Sequence, residues 1–522
     1  MLNILNMMNL LKSLTAISFI TILSRILGFI RDTIVARMFG VSIMTDAFFI
    51  AFKLPNLLRR IFAEGAFYQV FLPILSEYQS RESKEEIRVF ISRVSALLIF
   101  TVTVVVFIGL LIAPWVIMVI APGFNSSSEK FIMTIEMFRV MLPYILLVSL
   151  TSLMGAILNA CNFFLVPAFT PIFLNISMIS YMLFMGYSCF HVPIIGLAWS
   201  VIVGGILQCV YCLLFLKKIN MLVIPKMQLY DNRVYRICRS MVPAVIAVSS
   251  SQVSLIINTV FASFLRDGSV SWMYYADRLM ELPIGVFGVT LSTILVPYLS
   301  RFISKKNYGD YFYLMNWGIR LCFILSLPSA LILGVLSEPL VITLFKYGKF
   351  LEFDVLMTQY SVIAYAIGLP GLIFTKVLTS GFYALRDIKT PAYIVVIVLF
   401  FTQFINLVCI NTLKHIVFSF SISLGAWLNA GLLYWKFKKK YLFQLQSGWL
   451  CFCCQLMIAL FVMCIVCLGL LMYVSSWDQG NILYRLIRMI GALILVSSSY
   501  GIMLWCVGMR LKDFIFLSKD LY

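Results

Sequence analysis

FKLPNLLRRIFAEGAFYQVFLPIL, residues 52–75, decides how this chain is read. Its flanks are apolar enough to lie in a lipid bilayer, yet Lys53, Arg59, Arg60 and Glu64 sit inside it, with Pro55 ahead of them and Gly65 just after the acid. A cation at the centre of a membrane helix costs about 2.5–3.5 kcal/mol even on the lenient insertion scale, so a cluster is tolerated only facing water, a partner or a ligand. The alternative, that Arg59 and Arg60 are interfacial anchors reaching for headgroups, weakens because more arginines interrupt apolar runs elsewhere in the chain.

Composition agrees. With 62% hydrophobic and 12% charged residues, 522 residues describe an all-α polytopic membrane protein without a sizeable water-soluble domain. The net charge of +19 lies in short loops between apolar spans, where it orients the chain in the membrane, and nucleic acid is rejected as a partner. The 13 cysteines fall mostly inside apolar runs, without metal-ligand spacing or an extracellular framework. The two histidines, His191 and His415, are too far apart for a metal site.

About fourteen segments are long enough to span: roughly 13–38, 44–78, 90–120, 131–159, 165–187, 192–216, 240–265, 270–300, 312–345, 355–384, 391–411, 416–435, 450–473 and 484–508. The first is kept as a helix because Arg25 and Arg31 interrupt its apolar core and no small-residue cleavage site ends it. With a cytoplasmic N-terminus, the inner loops collect the Lys217, Lys218, Lys226, Lys305, Lys306 and Lys436–Lys440 charges, while the outer ones hold Arg37, Lys130, Arg266, Lys346, Lys349, Lys414 and Arg485. This bias, roughly threefold, predicts that both termini are cytoplasmic.

The chain repeats itself. Leu54-Pro55 recurs as Leu282-Pro283, the Pro73 stretch FLPILS as LVPYLS around Pro297, and Gly155…Pro167-Ala168 as Gly381…Pro391-Ala392. Two pseudo-symmetric six-helix bundles follow, over 13–219 and 236–440, with two extra helices at 450–508. Six being even, the halves share one orientation around a pseudo-two-fold axis along the membrane normal, with a cavity between them.

The intramembrane charges have a chemical bias. Arg25 and Asp32 lie about 20° apart in helical azimuth, with Arg31 on a flank and Gly28 giving flexibility between the arginines. Asp46 precedes Lys53 and Arg59; Arg60 and Glu64 stand at i,i+4 and can pair. In the second half Asp277 and Glu281 lie one turn apart, with Arg278 within i+3 reach of Glu281. An excess of arginines, whose planar fork binds phosphate oxygens bidentately, suits a phosphate or pyrophosphate better than a cationic drug. Internal salt bridging that only stabilises the bundle is the other reading.

SRILGFIRD at 24–32, TDAFFIAFKLPNLLRRIFAEGAF at 45–67, PAFTPIFLNIS at 167–177, SWMYYADRLMELPIGVFGV at 271–289 and GFYALRDIKTP at 381–391 together resemble the MurJ (MviN) family of the MOP exporter superfamily, over nearly the whole chain. The resemblance implies a flippase of the bacterial inner membrane that carries lipid II, an undecaprenyl-pyrophosphate-linked disaccharide pentapeptide, to the outer leaflet for peptidoglycan synthesis. It implies substrate-binding roles for Arg25, Arg31, Arg59 and Arg278 and functional roles for the acids Asp46, Glu64, Asp277 and Glu281; the residue pattern adds Asp32 and Arg60 to these acids as the gating or charge-pairing set. It places a lipid-tail groove at 450–508 and leaves the seven residues before Met8 as either a mis-assigned start or a short extension. The chain is expected to act as a monomer beside membrane lipid and other cell-wall synthesis proteins.

Mechanistically, the halves would rock about Gly28 and Pro55 to expose the cavity to each side in turn. No bond is broken, so neither catalytic residue nor cofactor is expected; Asp387 is a weak candidate for a coupling ion. The alternatives are a MATE-like antiporter of small organic cations, which would want an acidic or aromatic cavity, a flippase for another polyprenyl-pyrophosphate-linked glycan, and a membrane transferase, which would want paired carboxylates for Mg²⁺. No Walker motif supports an ATP-driven pump.

Overall fold

The computed structural model describes residues 2–59, 67–79, 82–124, 129–161, 163–185, 192–228, 239, 241, 252–441, 443–444, 446, 448–474 and 476–510, with backbone alone for 2–18, 67–69, 76 and 185. Arg60, Glu64 and His191 lie outside the described residues or their side chains.

The described residues are mostly helical, with short turns and coil between the helices and no strand among them. A chain this apolar must satisfy its backbone internally once in lipid, and the helix does so within each segment. The helices are α1 (Leu2–Phe39), α2 (Ile43–Leu58), α3 (Phe67–Gln79), α4 (Lys84–Leu111), α5 (Ala113–Ile120), α6 (Glu129–Met141), α7 (Tyr144–Ala160), α8 (Leu165–Ser180) and α9 (Pro193–Lys218). After α10 (Gln252–Ser263) come α11 (Ser269–Pro283), α12 (Thr290–Ser304), α13 (Tyr308–Val335), α14 (Ser337–Phe345), α15 (Glu352–Ala384), α16 (Lys389–Leu413), α17 (Ile416–Tyr441), α18 (Trp449–Tyr473) and α19 (Ile482–Cys506). Eleven spans among the described residues are long and apolar enough to cross a membrane. The protein is therefore an all-helical, multi-pass membrane protein.

Local chemistry starts and breaks these helices. Ser42 caps α2 by accepting from Thr45 N, Ser83 caps α4 by accepting from Glu86 N, and Asn307 caps α13 by accepting from Asp310 N. The expected spans 90–120 and 131–159 are each two helices, broken at Ile112 ahead of Pro114 and at Leu142–Pro143. Proline supplies no N–H and its ring clashes with the preceding turn. The 270–300 span runs as α11, a π-helical segment over Ile284–Val289, and α12. A π-turn inside a helix frequently marks a functional position.

The chain forms two compact units, residues 1–271 and 272–522. In the first, α1 packs on α8, α8 on α9, α2 on α6, and α7 on α9. In the second, α15 is the buried axis, packed against α13 and α17, with α18 and α19 paired and α18 resting on α13. Close approach of α15 and α17 requires Gly368, where a Cβ would fall 2.4 Å from the Cα of Ser423. Small residues give membrane helices this contact, since lipid is as apolar as leucine and burial alone provides no drive. The division falls at 271, whereas the sequence repeat predicts a separation of the halves between 219 and 236.

Candidate functional site

In the first unit, Arg25 is exposed on α1 and Arg59, half-buried, donates from Nε to Asn56 Oδ1 at 3.0 Å. Arg31 behaves differently from its neighbours. It is 5% exposed and donates to Asp32 Oδ1 from Nε (2.9 Å) and from a terminal nitrogen (2.7 Å). Its other terminal nitrogen donates to Asn175 Oδ1 on α8 at 3.1 Å, and Asn175 Nδ2 in turn donates to Ser24 O at 3.2 Å. Arg25 and Asp32 lie close in helical azimuth, yet the ion pair in the structure joins Asp32 to Arg31. A guanidinium on a three-carbon stem can fold back to an adjacent residue, so helical azimuth alone does not fix its partner. Gly28, read as a flexing point, lies against the Asn175 side chain within a continuous helix.

Asp46 is the most fully enclosed acid of the set, at 1% exposure. Its Oδ2 accepts from Gly268 N (2.7 Å) and Lys130 Nζ (3.2 Å); its Oδ1 accepts from Ser271 N (3.0 Å) and Ser271 Oγ (2.6 Å). A buried carboxylate survives only with such a set of donors. Here it also terminates the backbone at the start of α11, where the first-turn N–H groups have no partner within the helix. Lys130, read from sequence only as a loop charge, also donates to Asp267 Oδ1 at 2.7 Å and sits 4.2 Å from the Phe124 ring centre.

In the second unit, Arg278 is part-exposed on a membrane-spanning helix, its side chain 30% accessible. It donates to Glu281 Oε2 at 2.9 Å and to the Tyr274 hydroxyl at 2.9 and 3.3 Å, and its guanidinium lies 5.0 Å from the Tyr274 ring centre. Tyr274, one turn before Arg278, thus holds the fork by both face and hydroxyl. Asp277 lies within electrostatic reach of the wholly buried Tyr365 on α15. Lys376, which sequence reading passed over inside a long apolar run, is exposed on α15 beside the π-helical Gly288.

Asp387 lies in the loop between α15 and α16. Its Oδ2 accepts from Lys440 Nζ (2.6 Å), Thr390 Oγ1 (2.7 Å) and Tyr441 OH (3.0 Å), and its Oδ1 from Thr390 N (3.1 Å). Burial alone would raise its carboxyl, but these donors together hold it down to about 2. Asp387 is thus a helix-capping acid neutralised by a lysine, and an ion would have to displace that lysine to bind.

The signals for the residues that sequence reading missed were present but ambiguous. Asn175 stands in the PAFTPIFLNIS motif, and Tyr274 precedes Arg278 by one turn. Neither an amide nor a phenol in an apolar run announces which cation it will hold.

Comparison with known proteins identifies the chain's relatives. Residues 35–488 match the family described as lipid II flippase MurJ. A probable lipid II flippase MurJ of Buchnera aphidicola subsp. Schizaphis graminum is 43% identical over 507 residues, covering 97% of this chain and 98% of the relative. A lipid II flippase MurJ of Burkholderia cenocepacia is 41% identical over 516 residues, covering 97% and 99%. Among solved structures, a lipid II flippase MurJ in an inward closed conformation superimposes with a TM-score of 0.76 at 25% identity, over 94% of this chain and 99% of that one. An inward-facing MATE family transporter of the MOP superfamily matches with a TM-score of 0.67 at 12% identity, over 81% and 96%, which shows the shared fold. The chain belongs to the lipid II flippase MurJ family.

Proposed function

We propose that this protein moves lipid II from the cytoplasmic to the outer leaflet of the bacterial inner membrane by alternating access, as a monomer with both termini in the cytoplasm. The observation that carries the reading is Arg278. It is an accessible guanidinium within a membrane span, adjoining a π-helical segment and oriented by Tyr274 and Glu281. A phosphate oxygen arriving there meets a preset planar fork rather than a flexible ammonium. Arg25 and Arg59 supply accessible cations in the first unit. Arg31 joins them only by exchanging Asp32 for a phosphate oxygen, which makes the Arg31–Asp32 pair a natural gating element. Asp46 keeps its charge-pairing role through Lys130, and Asp277 and Glu281 balance Arg278. The repeat halves 13–219 and 236–440 are the elements that alternate, with 450–508 alongside the lipid tail. The protein makes and breaks no covalent bond in this cycle.

The test is complementation of a flippase-depleted bacterial strain, with leaflet-resolved accessibility of lipid II as readout. Expression should restore growth and outer-leaflet lipid II. Growth failure with lipid II still confined to the inner leaflet, despite normal insertion of the protein, would sink the assignment.

A further inference from the structure

A groove of about 560 Å³ lies between α5 and α6, wholly within the 1–271 unit, and uses none of the arginines assigned to transport. It begins where two neighbouring spans change helix. The span of α4 and α5 breaks at Ile112 ahead of Pro114, and that of α6 and α7 breaks at Leu142–Pro143. The two breaks lie side by side, since a Cβ on Gly109 would fall 2.8 Å from Leu142 Cδ2. From that contact the groove runs toward the α5–α6 connection, between Pro114 and a stripe of α6 made by Ile132, Ile135, Glu136 and Arg139.

The uncharged lengths of chain give its depth. Residues 94–113, following Arg93, and residues 140–159, at whose far end α7 stops, are each free of charged side chains. At about 1.5 Å per helical residue, each run is roughly the 30 Å of a hydrocarbon core. The runs end at Pro114 and Arg139, which the Gly109–Leu142 contact puts at one level. Arg139 therefore stands where hydrocarbon gives way to headgroups, and Glu136 lies one turn, about 4.5 Å, nearer the surface. Trp115, 70% exposed beside Pro114, fits the same boundary.

The order of the charges selects the ligand. Glu136 and Arg139 are both exposed, and among the described residues no hydrogen bond or ion pair holds either side chain, although their i,i+3 spacing would allow them to pair. Arg139, nearer the bilayer centre, presents a fork to phosphate oxygens; Glu136, nearer the surface, presents an acceptor to an ammonium. In an ethanolamine phospholipid the phosphodiester follows the glycerol and the ammonium follows two carbons later, so its charges run outward from the acyl chains in this same order. A glycerol headgroup or a pyrophosphate brings no cation to Glu136 and sets its own negative charge against it. Toward the bilayer centre, Phe107, Ile108 and Leu111 of α4 are exposed and offer apolar surface to acyl chains.

We propose that this groove binds a phosphatidylethanolamine molecule of the adjoining leaflet, with Arg139 on the phosphodiester and Glu136 on the ammonium. The acyl chains lie against α4. The bound headgroup fills the space between α5 and α6 beyond the level at which both spans break.

Ile135 provides the measurement, since it lies on the groove stripe next to Glu136 and is itself uncharged. Purified full-length Ile135→Cys protein in neutral detergent is alkylated with iodoacetamide, and each thiol is followed by peptide mass spectrometry. Saturating phosphatidylethanolamine should slow labelling of the introduced thiol by about tenfold and leave Cys453, exposed on α18, unchanged. Phosphatidylglycerol, which has no cation, and phosphatidylcholine, whose methylated ammonium has no N–H to donate, should each protect far less. Adding Glu136→Gln should remove the preference for ethanolamine over glycerol. Adding Glu136→Arg together with Arg139→Glu reverses the order of the charges at constant net charge, and should abolish protection by phosphatidylethanolamine at the parent's melting temperature because both side chains are exposed. Equal labelling with and without phosphatidylethanolamine would overturn the proposal, as would full protection in the reversed variant. Equal protection by all three lipids would reduce the groove to an acyl-chain contact and also reject it. None of these readouts depends on which molecule the protein transports.

Discussion

Lys130 reaches Asp46 across 84 positions of sequence, its Nζ 3.2 Å from Oδ2, and the carboxylate so paired holds the backbone of Gly268 and Ser271. One ion pair therefore ties α6, α2 and the start of α11 together inside the first unit. Replacing Asp46 with Asn removes the charge while leaving Lys130 buried, at 9% exposure. Breaking one side of a buried pair costs about 3–5 kcal/mol when the other charge is left uncompensated; Lys130 keeps Asp267 at 2.7 Å, so the loss here is smaller. Asp46→Asn should lower the melting temperature clearly, and Asp46→Asn with Lys130→Met should lower it by less than the two single changes summed. Strict additivity in thermal unfolding would show that the two side chains do not interact.

Arg278 separates ligand binding from bundle stability. Arg278→Lys keeps a charge that can reach Glu281 but loses the planar fork and the stack on Tyr274. Lipid II binding to the purified variant should weaken by about tenfold, one lost bidentate contact, at nearly unchanged melting temperature. Tyr274→Phe keeps the ring and removes the hydroxyl, so it should weaken binding less. Parental lipid II affinity in Arg278→Lys would assign the residue to charge balance alone.

Arg31 and Asp32 make a different prediction. If the pair opens during transport, Asp32→Asn should loosen Arg31 and alter the cycle, whereas Arg31→Ala should leave Asp32 buried at 2% exposure without its guanidinium. Arg31→Ala should therefore fail in complementation and also melt lower, by about 3–5 kcal/mol of stability. The Arg31→Ala, Asp32→Ala double variant should recover stability without recovering growth. Growth rescue by the double variant would confine the pair to a structural role.

Asp387 gives the protein an acid-sensitive joint between α15, α16 and α17. Its carboxyl is held at about 2, below the ordinary value of about 3.9. Depressed in the folded state, it contributes its stability in full above about pH 4 and loses it as pH falls through about 2. Asp387→Asn should lower the melting temperature at pH 7 and flatten its decline between pH 4 and pH 2. An unchanged acid limb would show that Lys440, half exposed, does not stabilise the loop.

Topology is tested with fused reporters. A reporter after Lys440 should report cytoplasm, and one within residues 125–130 should report the opposite side. Finding both on one side would remove the expected arrangement of fourteen spans.

By itself, the sequence determined the membrane class, the helical fold and most of the spans. Those properties follow from where apolar residues run uninterrupted for the thickness of a bilayer, which is a one-dimensional property of the chain. It also made the local pair Arg278–Glu281 legible, because three residues on a helix are neighbours whatever surrounds them. Tertiary structure alone decided that Asp46 meets Lys130 and Gly268, that Asn175 completes the setting of Arg31, and that Lys440 neutralises Asp387. It also decided the groove at Glu136 and Arg139, which requires the breaks in two spans to meet at Gly109 and Leu142. The physical reason is that a buried charge is stable only with particular donors or acceptors at hydrogen-bonding distance, and helix packing rather than sequence spacing brings those groups within reach.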